Sequence, residues 1–201
     1  VRDLDELEEL FYWCTDNGNT LVVNIPPDQT GRIREYEANT IIELNKRLGG
    51  IKKGKPLPRN GRFISLSSKA TASSVWGNQE SKYGGEFATD GGMQTYWAAA
   101  KTDTLATLTV PLNVGDCFNK ISIFEYCDMK TADDGFSNVR TNRIQAYSID
   151  IKKDGEWQTI YYSEDPMGDC KVIHFPQSYS AEQIRLKVVK AIAAPAIYEF
   201  N

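Results

Sequence analysis

The chain has 201 residues, of which 41% are hydrophobic, 11% aromatic and 25% charged. This composition is typical of a globular protein with a buried core, and it excludes a disordered chain or a fibre. A net charge of -4 at pH 7 disfavours binding to nucleic acid or to an anionic membrane, and no apolar run is long enough to span a membrane.

The first 50 residues combine two helical patterns with one short apolar run. Apolar residues recur at helical spacing over residues 4–11 and 36–48, the second time just before Gly49 and Gly50, a helix stop. The apolar run, residues 21–24, lies between them. A strand without alternation is normally buried by neighbouring βα units. The order helix, strand, helix therefore predicts part of a larger α/β domain in residues 1–50, and a chain that begins at Val1 agrees with missing upstream sequence.

From residue 62 onward the pattern changes to that of a β protein. Residues 51–61 are rich in glycine, proline and lysine and are predicted to be a linker. Alternating apolar residues follow over 106–112, 147–151 and 184–188, and Asp154-Gly155 is a strong hairpin signal. We therefore predict a mainly β domain over residues 62–201, either a β-sandwich or a jelly roll.

The segment FATDGGMQTYW at residues 87–97 is the candidate for a metal loop. Asp90 and Thr95 offer side-chain oxygens, and the glycines allow a sharp turn in which main-chain carbonyls converge, as a hard cation such as Ca²⁺ requires. The alternative is an Asp-Gly turn followed by a tryptophan of the core. Composition alone leaves both interpretations open.

Other candidates for chemistry are weaker. The cysteines (Cys14, Cys117, Cys127 and Cys170) form no C-x-x-C motif, so the pattern excludes zinc and dithiol redox sites and leaves open free buried thiols or a Cys117–Cys170 disulfide. His174 alternates with apolar neighbours and is predicted to be structural. Asp16 and Asp28 flank the apolar run, where we interpret them as turn and helix-start residues.

Five segments of the second half carry a family resemblance. The sequences ATASSVWGN, FATDGGMQTYWAA, RIQAYSIDIKKDGEWQTI, IRLKVV and IYEF together resemble the discoidin, or coagulation-factor type C, sandwich that carbohydrate-binding modules of family 32 also use. The resemblance implies a discoidin-like, galactose-binding-domain-like jelly roll with a structural Ca²⁺. Carried over position by position, its ligands are the main-chain or side-chain oxygens of Phe87, Asp90, Gly92, Thr95, Tyr198 and Glu199.

The first 50 residues carry a second resemblance. The segment NGNTLVVNIPPDQTGRI and its flanking helices resemble the last βα unit of the (β/α)8 barrel of α-L-fucosidases of glycoside hydrolase family 29. This resemblance implies that the parent protein is a retaining fucosidase whose nucleophile and acid/base lie on earlier strands. We therefore expect no catalytic residue in this chain, no activity of the chain alone, the remainder of the barrel as its partner, and a secreted or periplasmic location.

If the sandwich binds sugar, it needs aromatic faces and a few fixed polar groups in the loops at one end. The partners would be glycans that contain fucose or galactose. Residues 128–142 depart from the family pattern, because this segment is longer than the connection usual in fucosidase sandwiches. The alternative is a purely structural sandwich that buttresses the barrel and shapes its active-site entrance. The candidate sugar contacts are Trp76, Tyr83, Phe136, Arg140, Asn142 and Arg143.

Overall fold

The computed structural model describes residues 3–16, 19–50, 63–131 and 138–201. The chain divides into two compact units, Val1–Arg62 and Phe63–Asn201. The predicted linker, residues 51–61, lies outside the described residues. Within the described ranges, no helix is long and apolar enough to cross a membrane.

The first unit is built from two helices, α1 (Leu4–Asp16) and α2 (Glu35–Arg47). Their apolar faces meet around Leu7, Leu44 and Leu48, which form a small buried cluster. Arg47 adds an ion pair across the helices to Asp5. The two predicted helices are therefore confirmed.

The predicted strand at residues 21–24 is wrong for the chain as described. These residues belong to no β-ladder among the described ranges, and Val22 is 84% exposed. A strand that is apolar throughout needs neighbours on both sides to satisfy its backbone, and the two helices supply none. The segment instead lines an apolar groove of about 440 Å³ with α1 and α2.

The second unit is a β-sandwich. Its described strands form an antiparallel five-stranded sheet in the order β1-β3-β10-β7-β8, an antiparallel four-stranded sheet in the order β2-β11-β4-β9, and a separate ribbon β5-β6. A short helix α3 (Glu80–Tyr83) and two 3₁₀ turns lie in the connection between β1 and β2. The strands are β1 (Thr71–Ala72), β2 (Trp97–Ala98), β3 (Thr107–Pro111), β4 (Phe118–Glu125), β5 (Asp128–Thr131), β6 (Asn138–Thr141), β7 (Ile144–Lys153), β8 (Glu156–Ser163), β9 (Cys170–Tyr179), β10 (Gln183–Ala191) and β11 (Ala196–Phe200).

The core lies between the two larger sheets. Alternation directs Leu108 and Leu186 inward from the five-stranded sheet, and Ile123 and Ile197 inward from the four-stranded sheet, each fully buried. Trp97 is also fully buried, and its Nε1–H donates to the carbonyl of Ser74 at 3.1 Å. The predicted mainly β sandwich is confirmed.

The Asp154-Gly155 hairpin is confirmed in detail. Asp154 and Gly155 join β7 to β8 with φ values of +52° and +80°. Two central residues with positive φ match the right-handed twist of the flanking strands, and Asp-Gly adopts that conformation at low cost. β7 runs for ten residues, from Ile144 to Lys153, and the hairpin follows its last residue. The hairpin therefore lies at the end of the sandwich opposite to the loops near Ile144 that are described below.

The two units should differ sharply in autonomous stability. We expect residues 63–201 alone to unfold in one cooperative thermal transition, because both sheets and their shared core are self-contained. We expect residues 1–62 alone to show none, because a cluster of three buried leucines is too small to stabilise a fold. Circular dichroism of the two separate fragments measures this. Absence of a cooperative transition in the 63–201 fragment would contradict it.

Candidate functional site

The loop between α3 and β2 is shaped by glycines and one carboxylate. Gly85 lies where a Cβ would come within 2.8 Å of the carbonyl oxygen of Ala70, so no larger residue fits. Asp90 Oδ1 accepts the N–H of Gly92 at 2.8 Å, and Asp90 Oδ2 accepts the hydroxyl of Thr95 at 2.7 Å. The loop therefore closes around the Asp90 carboxylate.

Glu199 on β11 also contacts this loop. Its side chain is fully buried, and Oε1 accepts the N–H groups of Gly91 at 2.8 Å and Gly92 at 2.9 Å. Its Oε2 is buried and has no hydrogen-bond partner. Burial, together with the adjacent Asp90 carboxylate, raises the pKa of Glu199 to about 8. The site therefore combines two neighbouring carboxyl groups with one oxygen that has no hydrogen-bond partner, and a bound cation would offset their negative charge.

The structure brings together the three predicted side-chain ligands, Asp90, Thr95 and Glu199, and also the Gly92 main chain. Phe87 lies in the 3₁₀ turn just before them, and Tyr198 lies at an irregularity in the pairing of β11 with β4. No cluster of three His, Cys, Asp or Glu side chains occurs in the described part of the chain. A cation here would therefore complete its shell with hydroxyl and main-chain oxygens.

An aromatic pocket of about 200 Å³ lies beside this loop. Tyr96 and Tyr126 line it with ring centroids 4.8 Å apart, and Tyr198 lies next to them, 5.4 Å from Tyr126 and 5.7 Å from Tyr96. The ring of Tyr83 contacts that of Tyr96 at a centroid distance of 5.4 Å, with the two planes inclined by 43°, and Trp76, 37% exposed, forms an outer wall. The remaining lining residues are Ala98 and Arg143.

Arg143 supplies the polar wall of this pocket. Its guanidinium makes two hydrogen bonds to the Asp128 carboxylate, from Nε at 2.9 Å and from Nη2 at 2.6 Å, and Nη1 donates to the carbonyl of Ala194 at 3.0 Å. The guanidinium carbon lies 4.8 Å from the centroid of the Tyr126 ring. Hydrogen bonding to Asp128 raises the pKa of Arg143 further, so the group stays charged.

A second buried carboxylate, Glu125 at the end of β4, holds the backbone that carries Arg143. Its Oε1 accepts the N–H groups of Arg143 and Ile144, each at 2.7 Å, and its Oε2 accepts the Asn142 amide at 3.2 Å. Only 3% of Glu125 is exposed, and this burial raises its pKa to about 7. Glu125 therefore fixes the start of β7 from inside the protein.

The predicted sugar contacts have different outcomes. Trp76, Tyr83 and Arg143 meet in the pocket, as their predicted role requires. Asn142 instead directs its amide inward, to Glu125 and to Cys127 Sγ at 2.9 Å, because the buried carboxylate needs that donor. Phe136 and the side chain of Arg140 lie outside the described residues.

Sequence reasoning missed Tyr96 and Tyr126, although a signal for them exists. Each follows or precedes a buried residue of the four-stranded sheet: Tyr96 precedes Trp97, and Tyr126 follows Glu125. Alternation must then direct the tyrosines to the opposite face. What the sequence does not give is the order β2-β11-β4, which places them side by side.

The structure describes most of the residues that were interpreted as structural. Asp28 Oδ1 accepts the N–H groups of Thr30 and Arg32 and the hydroxyl of Thr30, and these bonds, led by the hydroxyl, lower its pKa, as in a turn. His174 is exposed on β9. None of the four cysteines, all of which lie in the described ranges, forms a disulfide, so the Cys117–Cys170 pairing is absent; Cys117 is exposed and the others are half-buried. The side chain of Asp16 lies outside the described residues.

Replacement of Glu125 by glutamine should change the pH dependence of stability. The folded pKa of about 7 exceeds the unfolded value of roughly 4.3, so the carboxyl's contribution is complete below about pH 4 and is lost as the pH rises through 7. The unfolding free energy of wild type relative to E125Q should therefore fall by on the order of 2 kcal/mol from pH 4.5 to pH 8, measured by denaturant titration. A difference that does not vary with pH would contradict this; E156Q, at an exposed position of β8, is the control.

Comparison with known proteins identifies the family to which the second unit is similar. A family model for the F5/8 type C domain matches residues 69–200. Alpha-L-fucosidase 1 of Arabidopsis thaliana is 22% identical over 194 residues, covering 96% of this chain and 34% of the relative. The chain thus spans about a third of the length of the curated relative that it matches.

Two solved structures have the same fold. A putative alpha-L-fucosidase from Bacteroides thetaiotaomicron matches all of this chain and 39% of its own, with 21% identity and a TM-score of 0.61. The family 32 carbohydrate-binding module of C. perfringens NanJ, solved with galactose, matches 69% of this chain and 95% of its own, with 20% identity and a TM-score of 0.54. Both predicted resemblances are confirmed, and the chain belongs to the F5/8 type C domain family.

Proposed function

We propose that this chain is the accessory, carbohydrate-binding part of a retaining α-L-fucosidase that hydrolyses terminal α-L-fucosyl linkages in glycans. The observation that carries the proposal is the aromatic pocket, where Trp76 and a group of contacting tyrosines adjoin the guanidinium of Arg143. A pyranose presents an apolar face and a rim of hydroxyls. Such a ring needs an aromatic surface and fixed hydrogen-bonding groups, and this pocket offers both.

The sugar would be galactose or fucose at the end of a glycan. The relative solved with galactose has the same fold, and this supports the choice of ligand without fixing it. The pocket opens between loops at one end of the sandwich, so a terminal sugar can enter while the rest of the glycan stays in solvent. Such binding would hold the parent enzyme on its substrate and raise the local substrate concentration.

Catalysis is assigned to the remainder of the parent protein. Val22 and Tyr36 are 84% and 50% exposed, and an apolar groove runs between the two helices. Large exposed apolar surfaces of this kind usually face a partner. The remainder of the barrel, with the nucleophile and the acid/base, would cover them. A secreted or periplasmic location is part of this proposal, since glycans with terminal fucose are met there.

A structural Ca²⁺ is proposed at the cluster of Asp90 and Glu199. The fit rests on the buried Glu199 Oε2, which has no hydrogen-bond partner, and on the adjacent carboxylate that repels it. A cation would satisfy both. The ion would be held by oxygens of Phe87, Asp90, Gly92, Thr95, Tyr198 and Glu199, and it would tie β11 to the loop that carries Tyr96.

Sugar binding is tested by replacing Trp76 with alanine. Wild type should bind galactose, fucose or a mucin-type glycan at millimolar concentration or tighter, and W76A should bind at least tenfold more weakly because the pocket loses an aromatic wall. Isothermal titration of each glycan measures this. Trp157 on β8, 36% exposed, provides a matched control, and W157A should bind as wild type does. No saturable binding to any glycan would contradict the proposal and favour a purely structural sandwich.

Calcium binding is tested by replacing Glu199 with glutamine. Millimolar Ca²⁺ should raise the melting temperature of chelator-treated wild type at pH 8 by several degrees, because the ion binds only the folded state. E199Q should lose this response, yet in chelator it should melt at or above the wild-type temperature, because a buried charge has been removed. E86Q, at an exposed position of the same loop, should respond as wild type does. A Ca²⁺ response in E199Q equal to that of wild type would contradict the site.

A further inference from the structure

We infer that Asp128 neutralises and orients Arg143, and thereby makes the aromatic pocket selective for neutral saccharides over saccharides that carry a carboxylate. Asp128 does not line the pocket, so it acts through Arg143 as a positioning residue. The inference rests on the proposed sugar-binding function. It goes beyond that function because it assigns the chemical class that the pocket accepts and the residue that sets it.

The geometry leaves Arg143 a limited capacity for ligands. A guanidinium has five N–H groups, and three are used, two on the Asp128 carboxylate and one on the Ala194 carbonyl. Two donors remain. One face of the planar guanidinium lies against the ring of Tyr126. Arg143 can therefore donate to two ligand oxygens in its own plane, which suits neighbouring hydroxyls of one sugar ring.

The charges of this wall cancel. The Arg143–Asp128 pair is closed by two hydrogen bonds, and 16% of the Arg143 side chain and 36% of the Asp128 side chain are exposed. Lys82, whose Nζ lies 5.1 Å from the centroid of the Tyr83 ring, is exposed, so solvent and salt screen its charge. A ligand carboxylate would have to compete with Asp128 for the guanidinium while lying close to a like charge, whereas a neutral hydroxyl would not.

Asn142, another predicted polar contact, directs its side chain away from this role. The Asn142 amide donates to Glu125 and Cys127 on the inner side. Glu125 accepts main-chain N–H groups there and leaves the outer side of Arg143 to Asp128. In the described lining of the pocket, Arg143 is the charged residue, so among the described residues the Arg143–Asp128 pair sets the charge of the pocket wall.

The test compares two ligands that differ only at one carbon, methyl β-galactoside and methyl β-galacturonide. Wild type should bind the neutral galactoside at least tenfold more tightly than the galacturonide. D128N removes the carboxylate that is hydrogen-bonded to the Arg143 guanidinium, so the ratio of the two affinities should fall at least fivefold. A change in folding alone would weaken both ligands together and leave the ratio unchanged.

Two further variants complete the experiment. D128E keeps the carboxylate and should keep most of the discrimination. D154N removes the same charge at the hairpin at the opposite end of the sandwich, where asparagine tolerates the positive φ, and should leave the ratio unchanged. A D128N ratio equal to that of wild type, or equal binding of both ligands by wild type, would overturn the inference while sugar binding itself stands. If wild type binds neither sugar, the proposed function fails, and this inference falls with it.

Discussion

Two buried carboxylates on adjacent strands fix the loops around the pocket. Glu199 on β11 accepts main-chain N–H groups of the loop that leads to Tyr96, and Glu125 on β4 accepts those at the start of β7, next to Arg143. Each carboxylate satisfies backbone donors that would otherwise be orphaned at the end of the sandwich. The aromatic residues and the polar wall of the pocket are therefore held from inside, by two carboxyl groups that do not line the pocket themselves.

Burial of the Glu125 and Glu199 carboxylates costs free energy, and hydrogen bonds offset this cost more completely for Glu125 than for Glu199. Both carboxyls have raised pKa values, about 7 for Glu125 and about 8 for Glu199, because burial disfavours their charged forms. Glu125 uses both oxygens for hydrogen bonds, whereas Glu199 Oε2 has no hydrogen-bond partner and lies near Asp90. The first site is therefore complete within the chain, and the second is the one to which a cation would add most.

The sequence predicts the local structure well and the pocket only in part. Alternation and the Asp154-Gly155 turn predict the strands, because both depend on neighbours along the chain. The side chains of Asp90, Thr95 and Glu199 do meet, but only the family resemblance, and no local pattern, joins positions so far apart in sequence. Sheet order and the inward turn of the Asn142 amide escape prediction, because they follow from pairings between distant strands and from a buried carboxylate.

The central claim, that two buried carboxylates organise the pocket, is tested most directly by NMR titration of the ¹³C-labelled glutamate carboxyl groups. In chelator, two glutamate signals should titrate with apparent pKa values near 7 and 8, and E125Q and E199Q should each remove one of them. Addition of Ca²⁺ should shift the Glu199 signal and leave that of Glu125 in place. If all glutamate carboxyls titrate below about pH 5.5, like exposed groups, the claim is contradicted.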